Sequence, residues 1–463
     1  MNLAVIVLAA GMGKRMKSDI PKVLHPVLGR AMLSYVLDAV LNLSPNRVVV
    51  VVGHGAEDVK KVSNSKKLTY VTQSKQLGTG HAANCAMEAL KSFKGDILIL
   101  NGDFPLITGA SLKKFVNNHE KKKGDISILT ALVEEPYGYG RIKRDQKGKV
   151  LGIVEEKDAT REERYINEIN SGTYCVKSSL LSSALNKVNT KNKQKEYYLT
   201  DIVAIAHRDG LNINGVAVSD SDEVMGVNDR LDLSYVESAL KWKTNEKLMR
   251  SGVTLVDPEN TYIAPQVKVG RDTTIYPNTH IYGNSQIGRN CIIGPSSWIE
   301  DSKFGNGVTI KSSCCITSAI IKNDVTIGPF AHLRPDAEIM DGAKIGNFVE
   351  IKKSKIGRGS KVPHLSYVGD ATLGRNVNIG AGTITCNYDG VDKHRTLIED
   401  NVFIGSDTML VAPIKVGKGA TTGAGSTISK DVPSGSLAIG RARQTNINDW
   451  KRKTKEKGRN KGK

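Results

Sequence analysis

Residues 8–16 read LAAGMGKRM: an apolar end, then Gly11 and Gly13, then Lys14 and Arg15. Glycines at this spacing let backbone N–H groups come close to phosphate oxygens. Lys14, Arg15 and Lys22 supply the opposing charge. The string completes neither a GxGxxG fingerprint nor a Walker A loop, so an ordinary strand–helix turn stays open as an alternative. Asp103 follows Gly102 after a second apolar run. A carboxylate there serves either as an oxygen ligand for a cation or as a turn residue. His364 can accept a proton near neutral pH. Arg334, Lys352 and Tyr367 lie in the same stretch of chain, although a single His is as readily structural.

These residues need a scaffold. Val5–Leu8, Val48–Val52 and Ile97–Leu100 are short, wholly apolar runs, the pattern of buried parallel strands. Helical segments such as Met32–Leu41 and His81–Lys91 separate them. Residues 1–227 therefore read as an α/β domain of Rossmann-like type, in which ligands bind beyond the carboxyl ends of the strands. Residues 228–251 read as a polar linker helix, with Asp229 or Ser234 near its start and Gly252 as its stop. Leu231, Tyr235, Leu240 and Leu248 are its expected apolar contacts.

From residue 252 to 450 a six-residue period takes over. Val269, Ile275, Ile281, Ile287, Ile293 and Ile299 keep the step; so do Ile327 to Ile351 and Ile398 to Ile428. This is the mark of a parallel β-helix, here left-handed, of about nine to ten coils. The steps Ile299 to Phe304, Ile316 to Ile321, Ile351 to Ile356 and Val368 to Leu373 shorten to five residues and predict tightened corners. The insertion Cys386–Leu397 predicts a loop projecting from one face. Residues 451–463 carry eight Lys or Arg against Glu456 alone and read as a solvated, disordered basic tail.

The formal charge of +19 favours anionic partners such as nucleotides, sugar phosphates and coenzyme A. A nucleic-acid role has only that charge and the basic tail behind it, since no aromatic-rich binding motif accompanies them. The six cysteines include no CxxC pair and read as free thiols in a reducing cytoplasm. MNLAVIVLAAG lacks the charged start of a secretory leader and reads as a first strand. No apolar run is long enough for a membrane span.

The complete string LAAGMGKRM followed by Pro21-Lys22 resembles the signature of the nucleoside-diphosphate-sugar pyrophosphorylases. Gln73 and Gln76–His81 resemble the base-reading segment of their uridylyltransferases, and Asn101–Pro105 the motif whose Asp binds Mg²⁺. Tyr139–Arg141, Ile153–Glu155, Glu168–Asn170 and Gly226–Asn228 resemble the sugar-binding and second metal-binding segments. Position 101 departs from the family pattern, with Asn where an aromatic is usual. In the repeat region, Leu333–Pro335, Val349–Lys353, His364–Tyr367, Asn376–Gly390 and Val402–Ser406 resemble the acetyltransferase half of the bacterial bifunctional family that makes UDP-N-acetylglucosamine. The resemblance runs from the first residues to about Trp450.

The resemblance implies two sites. In the first, Leu8, Ala9, Ala10, Gly11, Gly13, Lys22, Gln73, Gly78 and Thr79 hold UTP. Gly140, Glu155 and Asn170 hold N-acetylglucosamine-1-phosphate, Asp103 and Asn228 bind Mg²⁺, and Arg15 and Lys22 are catalytic cations. In the second, His364 is the catalytic base, and Arg334, Lys352, Tyr367 and Asn378 hold glucosamine-1-phosphate. Ala381, Asn387, Tyr388, Ser406, Ala424 and Arg441 lie near acetyl-CoA. It further implies a cytoplasmic homotrimer, with Lys393 of the insertion reaching a neighbour. Two rival readings remain at this point: a single-function sugar nucleotidyltransferase with a structural or regulatory β-helix, and a non-enzymatic exchange-factor subunit of similar plan.

Overall fold

A computed structural model describes residues 2–62 and 65–452. All of the basic tail except Lys451 and Arg452 lies outside the described residues. The chain divides into two compact units, Met1–Lys247 with Tyr262–Pro265, and Leu248–Thr261 with Gln266–Lys463.

Among the described residues the first unit is built on a sheet of nine strands: β1 Leu3–Ala9, β2 Arg47–Val52, β3 Leu68–Thr72, β4 Asp96–Asn101, β5 Ile126–Leu132, β6 Gly140–Arg144, β7 Val150–Val154, β8 Glu168–Lys177 and β9 Ile213–Ala217. The main path runs β9-β5-β8-β4-β1-β2-β3. β1 pairs parallel with β2 and β4, and β2 with β3. β8 runs antiparallel to β4 and β5, so the sheet is mixed rather than wholly parallel. The three apolar runs become β1, β2 and β4, each buried on both faces because helices cover the sheet on either side.

The helices are α1 Met32–Leu41, α2 Ala56–Val62, α3 Thr79–Ala89, α4 Gly109–Lys121, α5 Ser178–Leu185, α6 Asp201–Arg208 and α7 Arg230–Arg250. α3 starts two residues before the expected His81. Gly78, with φ of 108°, forms its N-cap, a geometry open to glycine and costly for other residues. α7 is also expected, but its contacts differ. Leu231 and Tyr235 are exposed, while Val236 is fully buried against Met16, Val27, Met32, Tyr35, Leu106 and Val227. Leu233, Val236 and Leu240 share one face by helical spacing, and a pattern this sparse misleads when it is counted from the wrong residue. Asp229 accepts the N–H groups of Leu231 and Asp232 and caps the start. Among the described residues no helix is long and apolar enough to cross a membrane.

The second unit is a left-handed parallel β-helix with three faces of eleven, ten and nine strands among the described residues. Each strand bonds to its equivalent one coil on, as in Thr274↔Ile292 and Ile292↔Thr309. The hexad positions stack inward: Ile275, Ile293, Ile327, Ile345 and Ile404 are essentially inaccessible. The four shortened steps all fall on the edge between the second and third faces. Asp301, Ser318, Lys353 and Asp370 turn that edge with φ of 45–48°. Coils approach closely at Gly346, where a Cβ would lie 1.7 Å from the Pro363 carbonyl oxygen. Gly346→Ala should therefore force the coils apart and cost the second unit roughly 1–3 kcal/mol, read as an earlier unfolding transition in urea by circular dichroism.

Two candidate active sites

The strand ends of the first unit open into two adjoining clefts of about 630 and 420 Å³. Leu8, Ala9, Ala10, Gly11, Gly13, Lys22, Gln73, Gly78 and Thr79 all line the larger one. Arg15, Gly140, Glu155, Asn170 and Asn228 line the smaller. Leu8, Thr79, Asn101 and Asp103 border both. Gly102 donates to the Leu8 carbonyl and Val227 to the Asp103 carbonyl, and these bonds bring the ends of β1 and β4 and the segment before α7 together.

Gly13 takes φ of 61°, and a Cβ on it would meet Lys22 Cβ at 2.7 Å. That turn seats Lys22, whose Nζ ion-pairs with Asp103 Oδ2. Asp103 Oδ1 is buried with no hydrogen-bond partner. Arg15 Nη2 donates to Asn228 Oδ1 at 2.8 Å. Two of the three cations predicted for phosphate, Lys22 and Arg15, are thus held by a predicted oxygen ligand. Gln73, nearly buried, donates to the Gly78 carbonyl at 3.1 Å and meets His81 Nδ1 at 2.9 Å. This bracing keeps the Gly78–Thr79 turn in place.

Asn170 donates to Tyr174 Oη at 2.8 Å and accepts from the Gly172 N–H at 3.0 Å, which orients its amide. Glu155 accepts from Thr200 Oγ1 at 3.0 Å, but burial outweighs that bond and pushes its carboxyl above the ordinary 4.5. Glu196 and Thr200 line the clefts without having been singled out from the sequence. Both lie in a segment whose Tyr197 exchanges backbone bonds with Leu77 and Gly80, a pairing that no local motif announces.

In the second unit the predicted residues come into line through coil register. Asn347 pairs with His364. Lys361 pairs with Asn378, Asn378 with Phe403, Phe403 with Thr421 and Thr421 with Leu437. Three residues further on, His364, Ala381, Ser406, Ala424 and Gly440 form one row along the edge between the first and second faces, with Arg441 just after. Backbone bonds from Asp407 to Ala381 and from Gly425 to Ser406 hold that row.

On the second face, Glu350 pairs with Tyr367 and receives Arg334 Nη1 at 2.9 Å. Lys352 sits beside them and is held below the ordinary lysine range, chiefly by the neighbouring Lys393 ammonium and further by Arg334. Lys393 of the insertion lies against Lys352 of its own chain. Asn387 donates to Asp370 Oδ2 at 2.5 Å, and Tyr388 Oη donates to the Gly390 carbonyl at 2.6 Å. His364 Nδ1 lies 2.6 Å from Asn347 Oδ1. An amide oxygen only accepts, so Nδ1 carries the proton and Nε2 of the neutral ring is the basic atom. Asn347 and Asp370 were missed in the sequence. Their signal is a separation of one coil, 17 residues, from His364 and Asn387.

Three families match parts of the chain: Nucleotidyl transferase over residues 4–224, EIF2B subunit epsilon LbH domain over 249–351, and Bacterial transferase hexapeptide (six repeats) over 395–430. The bifunctional protein GlmU of Geotalea uraniireducens is 50% identical over 455 residues, covering 98% of this chain and all of its own. That of Caldanaerobacter subterraneus subsp. tengcongensis is 50% identical over 458 residues, with 99% of each chain covered. The chain belongs to the bifunctional GlmU family.

A GlmU is a transferase that joins uridylyl transfer and acetyl transfer in one chain, and it makes UDP-N-acetylglucosamine for the cell wall. Its substrates are sugar phosphates, UTP and acetyl-CoA. The reading with a silent β-helix is not favoured, because likeness to GlmU proteins extends across both halves. The exchange-factor reading has a basis in the match over 249–351 but covers only that segment.

Ionised Glu155 is disfavoured in the folded state, so its cost is present above the raised folded value and vanishes below the unfolded one, near 4.5. Glu155→Gln should raise the melting temperature at pH 7 and leave it unchanged at about pH 4, as calorimetry at the two pH values would show.

Proposed function

We propose that the paired clefts of residues 1–227 carry uridylyl transfer and that the edge row of residues 252–450 carries acetyl transfer, with 228–251 linking them. The observation that supports this most is the position of Asp103, a carboxylate with one buried unpartnered oxygen on the border of both clefts. Asp103 and Asn228 would hold Mg²⁺. Among the described residues no three His, Cys, Asp or Glu side chains form a metal-binding group. A site with one carboxylate and one amide suits an ion that completes its shell with water and substrate phosphates. Mg²⁺ there would neutralise charge on the phosphates.

Gly11, Gly13, Lys22 and Arg15 bind the triphosphate, and Gln73, Gly78 and Thr79 read the base. Gly140, Glu155 and Asn170 orient N-acetylglucosamine-1-phosphate. An oxygen of its phosphate attacks the α-phosphorus of UTP, the α–β bridge breaks, and pyrophosphate leaves with Lys22 and Arg15 balancing its charge.

In the acetyl site, Arg334, Lys352, Tyr367 and Asn378 hold glucosamine-1-phosphate. The row Ala381, Ser406 and Ala424, with Asn387, Tyr388 and Arg441, receives acetyl-CoA. The amine attacks the thioester carbonyl, His364 Nε2 takes the proton, and the CoA thiolate leaves. The enzyme is a cytoplasmic homotrimer. Phe330, Phe348 and Leu365, more than half exposed beside this row, are apolar surface that a second copy would cover.

Asp103→Ala should lower uridylyl transfer by about 10³-fold or more and spare acetyl transfer, and His364→Ala should do the reverse by about 10²-fold or more. The assay follows pyrophosphate and free thiol separately. Loss of both activities in either folded variant would show that the sites are not independent.

A further inference from the structure

The insertion after Cys386 is closed by its own side chains. Tyr388 and Lys393 bridge as an antiparallel pair, and the His394 N–H donates to the Asn387 carbonyl at 2.8 Å. Asp389 sits at the centre. Its Oδ1 accepts the N–H groups of Val391 at 2.8 Å and Asp392 at 2.7 Å, and its Oδ2 meets His394 Nε2 at 2.6 Å. An ionised carboxylate accepts only, so His394 presents an N–H there.

Both oxygens of Asp389 are therefore used, one to form the turn and one to tie it to the returning arm. The base of the loop is anchored separately: Asn387 Nδ2 bonds Asp370, and the Thr396 N–H bonds the Asp370 carbonyl. Between anchor and tip, the side-chain tie from the returning arm is His394. Its neighbour Lys393 is exposed and lies against Lys352, and Tyr388 is 59% exposed. Without the tie, the long Lys393 side chain would be placed in water by the backbone bonds of a short hairpin, the Tyr388–Lys393 bridge and the His394 N–H bond to Asn387, and a two-strand hairpin alone is marginal.

We propose that the Asp389–His394 pair is a latch, and that His394 is a positioning residue for acetyl transfer: it holds Lys393 beside Lys352, at the sugar-phosphate end of the site. His394 touches neither substrate. It acts by keeping Lys393 next to Lys352, where glucosamine-1-phosphate is read to bind. This rests on the acetyl-site reading above.

The test is steady-state kinetics of both activities in the full-length protein. His394→Leu should raise KM for glucosamine-1-phosphate about tenfold while kcat stays within about threefold, the pattern of lost binding rather than lost chemistry. His394→Gln places an N–H where Nε2 was and should bring KM back to within about twofold of the parent. Uridylyl transfer should be unchanged in both. Equal kinetics for Leu and Gln, a fall in kcat at constant KM, or no effect of Leu would each overturn the latch. Should Leu unfold the second unit, Asp389→Ser serves instead. Its hydroxyl can keep the turn but cannot reach His394. It should show the same rise in KM, and parent-like kinetics would overturn the proposal. His364→Ala run beside them separates the two levels. Retained acetyl transfer in that variant overturns the site reading, whereas its loss together with a silent His394→Leu overturns the latch alone.

Discussion

Parallel strand pairing is the constraint on which both halves of the chain depend. Parallel neighbours cannot be joined by a tight hairpin, so the chain must travel back before each new strand. In the first unit helices make that return, and the carboxyl ends of β1, β2 and β4 come to one edge. The loops that leave this edge carry Gly11, Gly13 and Asp103. In the second unit the return is made by the other two faces of the prism. Equivalent residues then stack at fixed separations, and a row of side chains such as His364, Ala381, Ser406 and Ala424 follows from backbone hydrogen bonding.

Charge is arranged differently in the two sites. The first is compact, and two of its cations already have oxygen partners: Lys22 with Asp103, Arg15 with Asn228. Ligands must exchange these partners; Asp103 balances the charge of Lys22 in the ligand-free cleft, while the neutral Asn228 amide leaves Arg15 its full charge. The second is open and leans towards positive charge. Arg334 has Glu350, while Lys352 and Lys393 lie against one another with the Asp370 carboxylate nearby, a cluster of cations that favours a bound phosphate. In both sites the supporting bonds come from residues with no chemistry of their own to offer, such as Thr200, Asn347 and Asp370.

Strain and close approach mark where substitution is least tolerated. Gly13 sits in a left-handed turn against Lys22, and Gly346 sits under a neighbouring carbonyl. The first shapes a binding loop and the second lets coils pack at their required distance.

Much of this was legible in the residues. Wholly apolar runs identified β1, β2 and β4, because strands buried on both faces need no polar side. The six-residue period identified the prism, and its five-residue steps identified one edge, because each stacked position must present the same kind of side chain inward. The cleft-lining residues were legible through motif strings, in which each residue is tied to its neighbours in sequence. What the residues alone did not decide were contacts set by register and packing. Val236 rather than Leu231 or Tyr235 faces the core, since a sparse helical pattern has several phases and only the surface it packs on selects one. The antiparallel course of β8, the 17-residue partnerships of Asn347 with His364 and Asp370 with Asn387, and the approach of Lys393 to Lys352 likewise required tertiary structure. Local sequence specifies a residue's chemistry and its turn preference. Which distant atom it meets is decided only when the backbone ladder brings separate coils and strands side by side.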